Sequence, residues 1–314
     1  MSKKKKVALV LSCGGARGYA HVGAISELER QGFEVSSVAG SSIGALVGGM
    51  YAAGKLEEVI KWACSLDRKD VLSLADWSIG MNHIVKGDKV MDALKRIVPD
   101  VNIEDLPIPF RAVSADVKSH EEVVFDHGSL YEAIRASISI PMFFKPVTID
   151  GRMLIDGGVV SPLPLDKVVR TRGDLLVAVN VSAPRDMDFE NLHEQAELRH
   201  RHDSGVLQRL LPPAPSAGSN YFSLLANTYQ MMIEANTDQA LRLSPPDIIA
   251  NIPMNRFGAF DYDKAERICR FGQHKMEEAI AAYHSGQAHN GFFAKLKNMF
   301  DSFLENRVGI AVLA

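Results

Sequence analysis

The sequence predicts an α/β fold with a largely parallel central sheet and helices on both faces, three layers in all. Three observations carry this expectation. A continuous apolar run stands at Val7–Leu11, the pattern of a strand covered on both faces. Such runs alternate with segments of helical period through about the first 180 residues, which points to strand-helix-strand units and parallel pairing. Glycine-rich turns stand where strand gives way to helix, at Gly14–Gly18 and Gly40–Gly44.

After the first glycine turn, Val22, Ile25 and Leu28 are spaced for a helix over Ala20–Gln31, which Gly32 closes. Val35–Ala39 reads as the second strand. Ile43–Ala53 reads as a Gly- and Ala-rich helix able to pack close to a sheet, ended by Gly54, and Leu56–Ser65 as another helix. Phe110–Ala115 and Glu122–Phe125 have strand character, followed by a helix over Tyr131–Ser137. Asp150-Gly151 is a hairpin signal between Thr148–Ile149 and Met153–Leu154. Leu175–Val181 reads as a central strand. Beyond the Pro-rich stretch Leu210–Ser219, helices over Tyr221–Leu243 and Asp263–Tyr283 flank the short strand Ile248–Ile252. The expected organisation is one α/β domain over residues 1–285, then an amphipathic helix and tail over 286–314.

Composition narrows the function classes. With 46% hydrophobic residues and 23% charged ones the chain reads as globular, and its net charge of −3 gives no case for nucleic acid as a partner. Lys3–Lys6 reads as a solvated terminus. Cys13, Cys64 and Cys269 are too few and too scattered for a disulfide framework or a metal site, so neither metal nor cofactor is expected. Val7–Leu11 is shorter than the core of an export signal, and no apolar stretch approaches the ~20 residues of a spanning helix. A cytoplasmic location is the expectation.

The chemistry concentrates in three short segments. Gly40-Ser41-Ser42-Ile43-Gly44 fits G-x-S-x-G between a predicted strand and a predicted helix. In that context Ser42 is a candidate nucleophile on a strained elbow, with Gly40 and Gly44 letting the backbone double back. Gly14, Gly15, Arg17 and Gly18 lie between the first strand and the first helix, where backbone N–H groups converge on an anion. A dinucleotide cradle is disfavoured, because Cys13 replaces its first glycine and no acid ends the second strand. A transition-state oxyanion fits better. Asp156-Gly157-Gly158 follows a short apolar strand; a carboxylate on a glycine turn, part-buried between apolar runs, suits a general base.

Taken together, these segments resemble the patatin-like phospholipases, which combine a Gly-rich oxyanion element, a G-x-S-x-G elbow and a later D-G-A or D-G-G in this order. Ala136-Ser137-Ile138-Ser139-Ile140-Pro141 is also similar to that family's A-S-x-S-x-P segment, and the likeness runs to about residue 285. It implies Ser42 as nucleophile and Asp156 as base of a Ser-Asp dyad. It implies Gly14, Gly15, Arg17 and Gly18 as the oxyanion element, Gly157 and Gly158 as the aspartate turn, and a lipid ester, such as a (lyso)phospholipid, as substrate. Cys13 departs from the family's usual glycine. Two rivals stand beside this reading: an α/β-hydrolase-type esterase using a Ser-Asp-His triad, and a lipid- or phosphate-binding module without turnover. For the triad, His193, His200, His202, His274, His284 and His289 all follow Asp156, but none sits on a loop behind a predicted strand.

The C-terminal segment carries Phe292, Phe293, Leu296, Met299, Phe300, Phe303 and Leu304 on one helical face. That face suits packing on the domain or on a second copy in a homodimer. The alternative is a peripheral contact of residues 292–305 with the inner membrane surface.

Overall fold

A computed structural model describes residues 4–65, 77–80, 83–85, 87–141, 143–189, 221–259 and 261–286. The Pro-rich stretch and the helix expected over residues 292–305 lie outside these.

Among the described residues an eight-stranded sheet forms the centre. Its strands are β1 (Lys5–Leu11), β2 (Phe33–Ser41), β5 (Phe110–Asp116), β6 (Glu122–Phe125), β7 (Val147–Ile149), β8 (Arg152–Asp156), β9 (Leu175–Ala183) and β10 (Ile248–Pro253). The order is β10-β9-β1-β2-β5-β8-β7, with β6 on β5. The run from β10 to β5 is parallel throughout, whereas β6, β8 and β7 pair antiparallel. The expected α/β architecture is therefore present, with an antiparallel flank on a parallel centre. Asp150 and Gly151 both take positive φ, 50° and 74°, as a two-residue hairpin between β7 and β8 demands.

The helices are α1 (Tyr19–Arg30), α2 (Ile43–Ala52), α3 (Leu56–Ser65), α4 (Asp88–Ile97), α5 (Leu130–Ser137), α6 (Tyr221–Leu243) and α7 (Ala265–His284). The alternation of β1 shows how they divide. Val7, Leu9 and Leu11 join the larger core with α1, α2, α4, α5 and α7. Ala8 and Val10 point the other way, into a smaller core of Leu163, Leu165 and Val168 that the end of α6 covers through Ala240 and Leu241. Both faces of β1 are thus sealed from Val7 on, the reason Val7–Leu11 is apolar without a break. Beyond the expected elements the structure has α4 and a small hairpin, β3 (Trp77–Gly80) with β4 (His83–Val85).

No helix among the described residues is long and apolar enough to cross a membrane.

Candidate active site

Two strand ends meet against β5. Ser41, last in β2, pairs with Val113, and Asp156, last in β8, pairs with the next residue, Ser114. β6 pairs with both Val113 and Ser114, so it holds the opposite edge, and β2 and β8 share one edge of β5. Because β2 runs parallel to β5 and β8 antiparallel, they abut end to end. This brings Ser42 and Asp156, 114 positions apart, within hydrogen-bond reach.

Ser42 has φ 56° and ψ −125°, a strained conformation for a residue with a side chain. The turn closes so tightly that a Cβ at Gly40 would run into the Gly44 carbonyl, and one at Gly44 into the Leu11 carbonyl. The two glycines of the pattern are required by that close approach. The Ser42 Oγ donates to Asp156 Oδ2 at 2.5 Å. The Ser42 N–H donates to Ser137 Oγ at 2.8 Å, and that hydroxyl donates in turn to the Val113 carbonyl at 2.5 Å. Two residues on, the Ser139 carbonyl accepts the Asp156 N–H at 2.9 Å. The last residue of α5 and the segment after it therefore fix the backbones of both residues.

Asp156 is fully buried. Burial pushes its carboxyl up to about 6, and three neutral donors limit the rise. Besides Ser42, these are the Gly158 N–H at 2.6 Å and the Tyr229 hydroxyl at 3.2 Å, both on Oδ1. A Cβ at Gly158 would stand 2.8 Å from the Tyr229 oxygen and 2.9 Å from Oδ1, so the aspartate turn needs glycine there. At Gly157 a Cβ would strike the Val113 carbonyl.

The first glycine turn lies beside both motifs: Gly44 is against the Leu11 and Ser12 carbonyls, and Cys13 Sγ is against Gly158. Gly14 lies against Val181, Gly15 takes φ 60° beside the Ala259 carbonyl, and Gly18 is packed under Ile43 at the start of α2. Among the described residues no acceptor meets the Gly14 N–H. The Arg17 side chain is not aimed into the site. Its guanidinium donates to the carbonyls of Val181 at 2.7 Å, Met254 at 3.3 Å and Phe257 at 3.4 Å, and to Ser182 Oγ at 3.3 Å. It ties the turn to the ends of β9 and β10 from behind. The Cys13 N–H donates to the Pro162 carbonyl at 2.9 Å, and burial raises its thiol far above the usual range.

Among the described residues no histidine is bonded to Asp156. His21 is buried, its Nε2 donates to the Ser12 carbonyl at 2.9 Å, and burial pushes it down to about 4, so it stays neutral. His127 and His274 pair with surface carboxylates, and His284 rests on Tyr283. His193, His200, His202 and His289 lie outside the described residues.

Sequence reasoning missed Tyr229. Its only signal is the inward stripe of α6, where Tyr229, Ile233, Asn236 and Thr237 recur at helical spacing with three polar members. Ile233 and Thr237 are buried, and Asn236 donates to the Val159 carbonyl at 2.8 Å, just past the aspartate turn. Polar groups on a core-facing stripe generally find partners, as Tyr229 and Asn236 do here.

An α/β sheet carrying a serine elbow against a buried aspartate defines the class. A family model described as patatin-like phospholipase matches residues 9–169, and the chain belongs to that family. An NTE family protein of Mycobacterium tuberculosis is 46% identical over 181 residues, 58% of this chain and 50% of that protein. The neuropathy target esterase sws of Drosophila melanogaster is 30% identical over 192 residues, 59% of this chain and 13% of that one. The matched region thus spans half the length of the mycobacterial relative and far less of the fly protein. The crystal structure of VipD from Legionella pneumophila aligns over 89% of this chain and 67% of its own, with TM-score 0.47 and 14% identity.

Proposed function

We propose that the protein hydrolyses the carboxylic esters of lipids, (lyso)phospholipids among them, with Ser42 as nucleophile and Asp156 as the only general base. The observation that carries this reading is the 2.5 Å bond from Ser42 Oγ to Asp156 Oδ2 on a strained strand-to-helix turn. The family and the esterase named among the relatives support the substrate class.

Asp156 accepts the Ser42 hydroxyl proton as Oγ attacks the acyl carbon. The carbonyl electrons move to oxygen, where the N–H groups of Gly14 and Gly15 receive the charge. Collapse expels the alcohol, which takes the proton back from Asp156. Water then attacks the acyl-enzyme and gives a proton to Asp156, and Ser42 recovers it as the fatty acid leaves. A carboxyl near 6 suits this shuttle, being ionised at neutral pH yet basic enough to accept a proton. In this scheme Arg17 and Gly18 hold the donor turn in place.

The test is a fluorophosphonate probe followed by peptide mapping, beside a panel of phospholipid, lysophospholipid and monoacylglycerol substrates. Labelling is expected at Ser42 and absent in Ser42→Ala. A native chain that takes no label would point to the binding-module reading. Loss of labelling in His193→Ala, His200→Ala or His202→Ala with the fold intact would point to the triad.

A further inference from the structure

Asp156 has two oxygens, and the reaction proposed above uses only one. Oδ2 faces Ser42 and carries the proton in transit. Oδ1 accepts the Gly158 N–H and the hydroxyl of Tyr229, which arrives from α6 on the opposite side of the sheet from α1 and α2. The approach is built rather than incidental, since even a methyl group at Gly158 would fill the space that the tyrosine oxygen occupies. The tyrosine is itself held protonated, raised well above its usual value by burial and by the carboxylate beside it. It therefore acts as donor throughout the cycle.

We propose that Tyr229 is a positioning residue for the base. Its hydroxyl pins Oδ1 so that Oδ2 faces the nucleophile, and it holds the buried carboxylate ionised at neutral pH. The inference rests on the Ser42–Asp156 reading and adds α6 to the machinery.

The surroundings leave little else to do this work. Among the described residues the titratable groups facing Asp156 are Cys13 from the first turn and Tyr229 from α6. The Cys13 thiol stays neutral, raised by burial first and by Asp156 second. Among the described residues Arg17 is turned to the carbonyls behind the turn, and Arg135 to Ser139 Oγ at 2.7 Å and the Lys145 carbonyl at 2.9 Å. Among the described residues the end of β2 and the aspartate turn add the Ser42 hydroxyl and the Gly158 N–H. Removing the tyrosine hydroxyl leaves Oδ1 with one donor in an apolar setting, which favours the protonated acid.

The experiment measures two rates against pH for the full chain: fluorophosphonate labelling of Ser42 and kcat/KM for a soluble p-nitrophenyl ester. It compares the native chain with Tyr229→Phe and with 3-fluorotyrosine introduced at position 229. Tyr229→Phe keeps the ring and should move the acid limb of both profiles up by about one pH unit, the worth of a hydrogen bond to a charged group. On the alkaline plateau its rate should fall by less than about tenfold. The fluorinated ring is a stronger donor and should move the limb down, which decides the matter should the phenylalanine variant not fold. Limbs that coincide while Ser42 is still labelled overturn the inference and leave the Ser42–Asp156 reading intact. A native chain that does not label at all removes both.

Discussion

Glu27 on α1 and Asp156 at the end of β8 both have side chains wholly removed from water, yet the fold drives their acidities in opposite directions. Glu27 accepts two hydrogen bonds from the Arg30 guanidinium, at 2.6 and 2.7 Å, and others from Gln31 at 2.9 Å and Gln273 at 3.3 Å. Those partners, the arginine first, hold its carboxyl down at about 2. Asp156 receives only neutral donors, and burial lifts it to about 6. The cover differs as well. Glu27 is shielded by an arginine whose own side chain is 58% exposed, so the pair stays near solvent, whereas Asp156 sits under the strand ends. Burial alone does not decide the direction of a carboxyl's acidity; burial without a cation raises it, and burial against an arginine lowers it.

This contrast predicts a double dissociation, and its largest arm is activity. Asp156→Asn should lower ester hydrolysis by about 10³–10⁴-fold, the scale on which residues of a catalytic unit fail. Glu27→Gln, which touches only the α1–α7 contact, should stay within about threefold of the native rate. Comparable losses in both variants would erase the distinction.

Next in size is the pH profile. Activity should fall by about tenfold per pH unit below about 6, as Asp156 takes up a proton. Glu27 remains ionised across that whole window, so an acid limb that persists unchanged in Glu27→Gln assigns it to the site.

Stability separates the two in sign. Asp156 has a raised folded value, so its ionisation subtracts stability at neutral pH, and the penalty disappears as pH falls to the unfolded range near 4. Asp156→Asn should therefore melt about 2–4 °C higher than the native chain at neutral pH and level with it near pH 4. Glu27 has a depressed folded value, so it adds stability above the unfolded range and loses it only as pH falls through about 2. Glu27→Gln should melt lower at neutral pH, and scanning calorimetry between about pH 4 and 8 reads both effects.

The smallest effects belong to Cys13, beside the aspartate turn, and to His274, exposed on α7 and paired with Glu278. Cys13→Gly should keep activity within about threefold, and His274→Ala should change it by less than about tenfold, under 1.4 kcal/mol. Cys13 is 2% exposed and its thiol is held protonated, so native alkylation should spare it while modifying exposed Cys64. Modification of Cys13 in the native chain, mapped by mass spectrometry, would show that the turn opens.

Several features were legible because their cause is local. The apolar run of β1, the glycines that let the elbow double back, and the Asp150-Gly151 hairpin each follow from what a few neighbouring residues can adopt. The helix α4 also has a local cause, with its apolar residues at Val90, Met91, Leu94 and Ile97 in a helical period. Arg17 was legible as part of the glycine turn but not in its direction, because its acceptors come from β9 and from the segment after β10.

The sequence by itself determined the α/β class, the strained serine turn and the glycine-flanked aspartate, since backbone sterics and hydrophobic period act over a handful of positions. Only the tertiary structure decided that Ser42 meets Asp156, because that contact depends on β2 and β8 ending head to head on one edge of β5. It likewise decided that the aspartate is buried without a cation and that Tyr229 reaches it from α6. An acidity is set by every group surrounding a carboxylate in space, and those groups come from four separate stretches of chain.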